Sequence, residues 1–182
     1  KLVILASIAF NTRIDLSDVL VEGIDGLDLC DIEHGKELGY AIKLLAIAKN
    51  NAEHGISVCV RPTMLPVSHP LAGVNDVFNA IFVHGNVLGD AMFYGSGAGK
   101  LPTASAVVAD VVDAAKHLHR TVVTRWESKT LELVPNADAK RRFFVRINGE
   151  ESALKSHVDE VFGQVEVVKA DDVKGEFAVI TG

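Results

Sequence analysis

Two pairs of alternating segments, each pair joined by only a few residues, decide most of what this chain can fold into. In "YAIKLLAIAKN", Ile42, Leu44, Ala46 and Ala48 share one face, and Lys43, Leu45, Ile47 and Lys49 share the other. In "GISVCVRP", Ile56, Val58 and Val60 alternate with Ser57, Cys59 and Arg61. A strand turns successive side chains to opposite faces, so a period of two predicts strands here. Asn50-Asn51-Ala52-Glu53-His54-Gly55 has the length of a hairpin connection. "VFNAIFVHG" and "VLGDAMFYG" make the second pair, around Gly85-Asn86. Parallel neighbours need a crossover of about a dozen residues or more, so connections this short predict antiparallel pairing.

Helices are expected around these strands. Leu2–Phe10 is apolar almost throughout and reads as a buried helix, or the end of one, stopped by Asn11-Thr12-Arg13. Asp28, with Asp31 three residues on, has the pattern of a helix start, and Gly39 is placed as the residue just past its end. A third helix is expected to begin near Pro102, with Ala104, Val107, Val108, Val111, Ala115 and Leu118 as its apolar stripe. Residues 123–139 read as a connector with a turn at Pro135-Asn136-Ala137-Asp138. "RRFFVRI", "EESALKSHVDEVFG", "QVEVVKA" and "GEFAVITG" then give the order β-α-β-β, short of a closed small domain. The expected fold is α+β: a mostly antiparallel sheet covered by helices on one face, with a small β-α-β-β C-terminal unit. The expected divisions are 1–122, 123–139 and 140–182.

Composition narrows the function classes. Hydrophobic residues make up 48% of the 182 and charged residues 23%, the balance of an ordinary globular protein. The net charge of −6 argues against nucleic-acid binding, and Lys140-Arg141-Arg142 reads as a solvated strand edge. Cys30 and Cys59 form no metal-ligand or redox motif and read as buried, reduced thiols in a cytosolic protein, with a disulfide as the alternative. No apolar run approaches the ~20 residues of a membrane span, and no signal peptide is visible. The chain opens on Lys1 rather than Met, within an apolar segment, so it is expected to be a piece of a longer protein.

The glycine-rich stretch "FYGSGAGKLPTASAVVAD" is the strongest candidate for chemistry. It fails as a triphosphate loop, because Tyr94 stands where the first glycine belongs and Leu101 where Ser or Thr belongs. It also fails as a dinucleotide fingerprint, because Lys100 replaces the third glycine and the flanking strands are antiparallel. Two readings remain. Gly95, Gly97 and Gly99 let another molecule approach the backbone, with the first turn of the following helix offering N–H groups to an anion or carbonyl oxygen. Alternatively the stretch is a strand-to-helix turn with only packing value. His117 and His119 read as surface histidines, Lys43 as a lysine stretching to solvent, and no metal site is expected.

Taken together, "KLVILAS", "GYAIKLLAIAK", "HPLAGVNDVFNAIFV" and "GDAMFYGSGAGKLPTASAVVAD" resemble the substrate-side region of homoserine dehydrogenase over residues 1–118. The stretch 94–110 carries most of that resemblance, and residues 142–182 more loosely resemble the ACT-like module of many members. The resemblance implies NADP- or NAD-dependent interconversion of L-homoserine and L-aspartate 4-semialdehyde, in the biosynthesis of threonine, methionine and isoleucine, by a homodimer. Lys1 matches the last lysine of the family signature and is implied as the proton-handling catalytic residue. Gly95, Gly97, Ala98, Gly99 and Thr103 match the turn beside the nicotinamide and are implied as cofactor contacts. The nucleotide domain, the acidic homoserine ligands and the sodium-binding carbonyls lie upstream in the family, so the isolated chain is expected to be inactive. Gly35 departs from the alanine more usual there, which weakens its helix by ~1 kcal/mol. The alternative function is a non-enzymatic module that dimerises or binds an amino acid.

Overall fold

A computed structural model describes residues 1–51, 55–123, 131–135, 141–168 and 175–182. The expected turn residues Ala52-Glu53-His54 and Asn136-Ala137-Asp138, Lys140 of the basic cluster, and most of the connector lie outside the described residues. The chain divides into two units, Lys1–Met64 with Glu127–Gly182, and Leu65–Trp126.

The first unit begins with α1 (Leu2–Phe10), followed by β1 (Leu20–Val21), α2 (Leu29–Glu37), β2 (Tyr40–Asn51) and β3 (Gly55–Pro66). Strand β3 lies between β1 and β2. The three residues separating β2 from β3 leave no room for a parallel crossover, so that pair is antiparallel. The short β1 runs parallel to β3, with Leu20 opposite Cys59 and Val21 opposite Val60. Ile56 and Val58 of β3 are buried with Ala6 and Ile14, and Leu2, Val3 and Phe10 of α1 pack around them. Residues 131–135, within the segment expected as a connector, run beside the start of β3: Ile56 N–H donates to Glu132 O and Val134 N–H to Ile56 O, both at 2.8 Å.

Helix α1 forms where expected but is not buried. Ala6 and Ser7 face inward, whereas Ile4 and Ile8 are 64% and 62% exposed. The run is apolar on every side, so one face covers the sheet and the other meets no described neighbour. Helix α2 starts on the expected cap: Asp28 N–H donates to Asp31 Oδ2 at 2.7 Å. It ends through Gly39, which has a φ of 72° and donates to Lys36 O.

The tail of this unit has the expected β-α-β-β order: β6 (Phe144–Asn148), α4 (Glu151–Phe162), β7 (Glu166–Val168) and β8 (Glu176–Ile180). Strand β8 is central and antiparallel to both neighbours. Val158 of α4 packs on Phe177 and Val179, with Val145, Ile147 and Leu154 around them.

A cluster of charges fixes this tail to α2. Arg146 of β6 donates from one terminal nitrogen to Asp31 Oδ1 at 3.0 Å and Asp28 Oδ2 at 3.3 Å. Its Nε lies 3.2 Å from Glu176 Oε1, an ion-pair distance without hydrogen-bond alignment. Burial disfavours the guanidinium charge, but Asp31, Glu176 and Asp28 outweigh it and raise the Arg146 pKa above the usual arginine value. His34 of α2 is fully buried beside this cluster, with Nε2 3.6 Å from Glu176 Oε1 and its ring 5.9 Å from that of Phe144.

The second unit holds β4 (Phe78–Gly85), β5 (Gly89–Ser96) and α3 (Lys100–Lys116). Strands β4 and β5 form an antiparallel hairpin with Phe78 opposite Ser96 and Gly85 opposite Gly89. The Phe78 and Tyr94 rings stack at 4.9 Å. The whole is thus mixed α/β with antiparallel sheets. The expected sheet is divided into separate sheets, and β1 adds a parallel pair.

Two stability predictions follow from this packing. A Cβ built on Gly35 meets Met64 Cε at 3.4 Å and Ile42 Cγ1 at 3.6 Å, ordinary contact distances. Gly35→Ala therefore raises unfolding stability by about 0.5–1 kcal/mol in urea titration, through helix propensity. Arg146→Met leaves Asp31 and Glu176 facing each other without their cation and lowers stability by about 2–4 kcal/mol. Adding Asp31→Asn and Glu176→Gln to that variant recovers part of the loss; no recovery would show that the charges are not its cause.

Candidate functional site

The glycine turn joins the end of β5 to the start of α3, and the geometry differs at each glycine. Gly95 lies opposite Asn79 in the hairpin, and a Cβ built on it meets nothing within 4 Å. Gly97 N–H donates to Val77 O at 2.9 Å, which holds the turn against the start of β4. A Cβ on Gly97 would fall 2.5 Å from Asn79 Cγ, so a side chain cannot be added there unless Asn79 moves. Gly99 caps α3 with φ 121° and ψ 151°, a conformation open essentially only to glycine. Ala98 between them is exposed.

Helix α3 starts two residues earlier than expected, at Lys100, and keeps Pro102 in its first turn. Thr103 N–H closes that turn on Gly99 O at 3.1 Å. The Gly99, Lys100 and Leu101 N–H groups have no backbone acceptor among the described residues, and they point the positive end of the helix dipole out of the turn. The apolar stripe of α3 is present but uncovered within the described residues: Val107, Val108 and Val111 are 56%, 60% and 62% exposed. His117 Nδ1 lies 2.9 Å from Asp113 O, so this ring closes the helix end. Among the described residues no group of three or more His, Cys, Asp or Glu side chains is placed to hold a metal ion.

The five expected cofactor contacts, Gly95, Gly97, Ala98, Gly99 and Thr103, thus fall in one stretch of the second unit, from the end of β5 through the turn into the first turn of α3. Lys1 belongs to the first unit. It is exposed and precedes α1, and its carbonyl accepts Leu5 N–H at 3.1 Å. Two features were not legible as sites in the sequence. One is Arg146, which reads simply as a polar residue of an alternating strand. The other is Arg61, which reads only as one of the residues alternating with Ile56, Val58 and Val60 but lines a cleft with Arg142 and Asp31. Only an unpaired charge within an apolar strand hinted at either.

Comparison with known proteins identifies the group to which this fold and turn belong. The homoserine dehydrogenase family profile matches residues 1–112. The chain is 54% identical to homoserine dehydrogenase of Corynebacterium glutamicum over 121 residues, 64% of this chain and 27% of that protein. It is 40% identical to that of Mycobacterium tuberculosis over 180 residues, 94% of this chain and 40% of that protein. The crystal structure of a homoserine dehydrogenase from Thiobacillus denitrificans superposes on all of this chain with a TM-score of 0.82 and 32% identity, using 44% of that chain. A homoserine dehydrogenase of S. aureus gives 0.73 with 33% identity over 99% of this chain. The chain belongs to the homoserine dehydrogenase family. It spans between 27% and 40% of the length of these curated relatives.

The turn yields two tests. Gly99→Ala lowers stability by about 1–3 kcal/mol in urea titration, the cost of a forced glycine-only conformation. Gly97→Ala costs a similar ~1–3 kcal/mol by overpacking, and pairing it with Asn79→Ala returns most of that loss. Simple additivity of those two substitutions would refute the Asn79 contact as the reason for glycine at 97.

Proposed function

We propose that this chain is the catalytic and dimer-forming region of a cytoplasmic, NAD(P)-dependent homoserine dehydrogenase that interconverts L-homoserine and L-aspartate 4-semialdehyde. In this reading residues 1–122 carry the catalytic part, 123–139 connect, and 140–182 form an ACT-like module. The observation that carries the reading is the exposed glycine turn, whose Gly99–Leu101 N–H groups have no backbone acceptor among the described residues, inside the region matched by the family profile.

The residues of the turn fit a dinucleotide. Gly95 is open to close approach, and the Gly99–Leu101 N–H groups have no backbone acceptor among the described residues. NAD(P), when bound, accepts the hydride from the terminal carbon of homoserine. Gly95, Gly97, Ala98, Gly99 and Thr103 are the residues that would hold its nicotinamide end. The Lys1 amine takes the proton from the homoserine hydroxyl as the carbonyl forms and returns it in the reverse direction. A lysine doing this must be neutral when the substrate arrives, which requires burial or a cationic neighbour. In the proposed enzyme that environment comes from segments preceding residue 1 in the longer protein.

The homodimer is proposed on the second unit's surface. A two-stranded hairpin is marginal by itself, and Phe78, Ile81, Met92 and Phe93 are all at least 40% exposed. Light scattering on the full-length protein is expected to give twice the monomer mass.

The decisive assay is homoserine-dependent NADP or NAD reduction, followed by absorbance, in the full-length protein. Lys1→Ala is expected to lower kcat by about 10²–10⁴ with cofactor binding retained. Activity that survives the substitution removes Lys1 from the mechanism. Absence of activity in the unmodified protein favours a non-enzymatic module.

A further inference from the structure

The first unit contains a cleft of about 630 Å³ between β3 and the β6–β8 sheet of the tail. That volume is typical of small-molecule sites. Ile42, Met64, Phe144 and Ile180 give it an apolar lining. Arg61 of β3 and Arg142 of the residue pair preceding β6 also line it.

The two arginines are not equivalent. Arg142 is held, with Nε donating to Thr181 O at 3.1 Å and a terminal nitrogen to Glu166 Oε2 at 3.2 Å. Arg61 is half-buried, and its guanidinium has no hydrogen-bond or ion-pair partner among the described residues. The carboxylate that shares the cleft wall with it, Asp31, is already occupied: Oδ1 accepts from Arg146 and Oδ2 from Asp28 N–H. Glu22 and Asp25 also line the cleft, but both are solvent-exposed, where their charge is screened. A partly buried cation with no partner among the described residues is poised for an anion, and the planar guanidinium fork matches a carboxylate with two parallel hydrogen bonds.

We infer that this cleft binds a small organic anion, a carboxylate on an apolar body, with Arg61 as its anchor and the Ile42, Met64, Phe144 and Ile180 surface as the seat of the body. Asp31 links the site to the fold, because the carboxylate on the cleft wall also holds Arg146 and the cap of α2. A ligand seated there bridges β3 and the tail and stabilises the pair by mass action. The inference does not rest on the proposed dehydrogenase activity, since none of the catalytic or cofactor candidates lines the cleft. A protein without homoserine-dependent turnover still tests it.

The test is a methyl-detected NMR titration of the full-length protein with three probes. These are 3-phenylpropionate, its neutral counterpart 3-phenylpropan-1-ol, and inorganic phosphate. The expected result is saturable shifts of the Ile42, Met64 and Ile180 methyls with 3-phenylpropionate, and at least tenfold weaker binding of the other two. Arg61→Gln is expected to weaken 3-phenylpropionate on the order of tenfold to hundredfold, with Arg61→Lys in between. Equal binding of acid and alcohol removes the anion anchor and overturns the inference. Equal binding of phosphate removes the apolar seat and overturns it as well. So do shifts confined to methyls away from the cleft, or Arg61→Gln binding that is unchanged. If Arg61→Gln fails to fold, the three-probe comparison on the unmodified protein and Arg61→Lys still decide.

Discussion

Asp31 does two jobs with one carboxylate, and much of the first unit depends on it. Its Oδ2 receives the Asp28 N–H that starts α2, and its Oδ1 receives Arg146 from a strand 115 residues further along the chain. The start of the helix and the docking of the tail are therefore a single feature. Loosening either one frees a partly buried charge and costs more than a lost surface pair. Only an arginine serves here. Its fork spans Asp28, Asp31 and Glu176 at once, while an ammonium would concentrate its charge on fewer partners. His34, fully buried against the same cluster, covers its inner side next to Glu176, while Asp28 at the outer side stays exposed to solvent.

The periodic parts of this fold could be read from the sequence because local physics alone determines them. The period-two runs became β2 through β5, the Asp28/Asp31 pattern became a cap, and the tail order emerged as β-α-β-β. What was not legible depends on contacts between distant residues. Asp31 reads fully as a helix cap, so nothing local announces its second partner at position 146. The burial expected of α1 failed for a related reason. A run that is apolar on all sides says that it wants cover, without saying whether this stretch of chain supplies it, and only Ala6 and Ser7 are buried.

The glycine turn divides along the same line. Glycine content and the following helix were visible, and so was the failure of both phosphate-loop patterns. The reasons for each glycine were not. Gly99 is fixed by its own backbone angles, a local cause. Gly97 is fixed by Asn79, which lies on the neighbouring strand and is placed there only by the β4–β5 register. Gly95 has no steric reason within the described residues. Open space around a glycine gives packing no role in its choice, and Gly95 shares that with Gly26 and Gly73.

That distinction also explains why the second unit has so little interior. Helix α3 has no buried residue, and its valines face outward beside the turn. A helix that buried this stripe on its own hairpin would be stable by itself but would bring its N–H groups under its own packing. Left uncovered, the same stripe offers one apolar face for another surface, and at its head stand three N–H groups with no backbone acceptor among the described residues. The stripe and the turn follow one another along the chain, so on the proposed function a surface that covers α3 would also lie close to the turn.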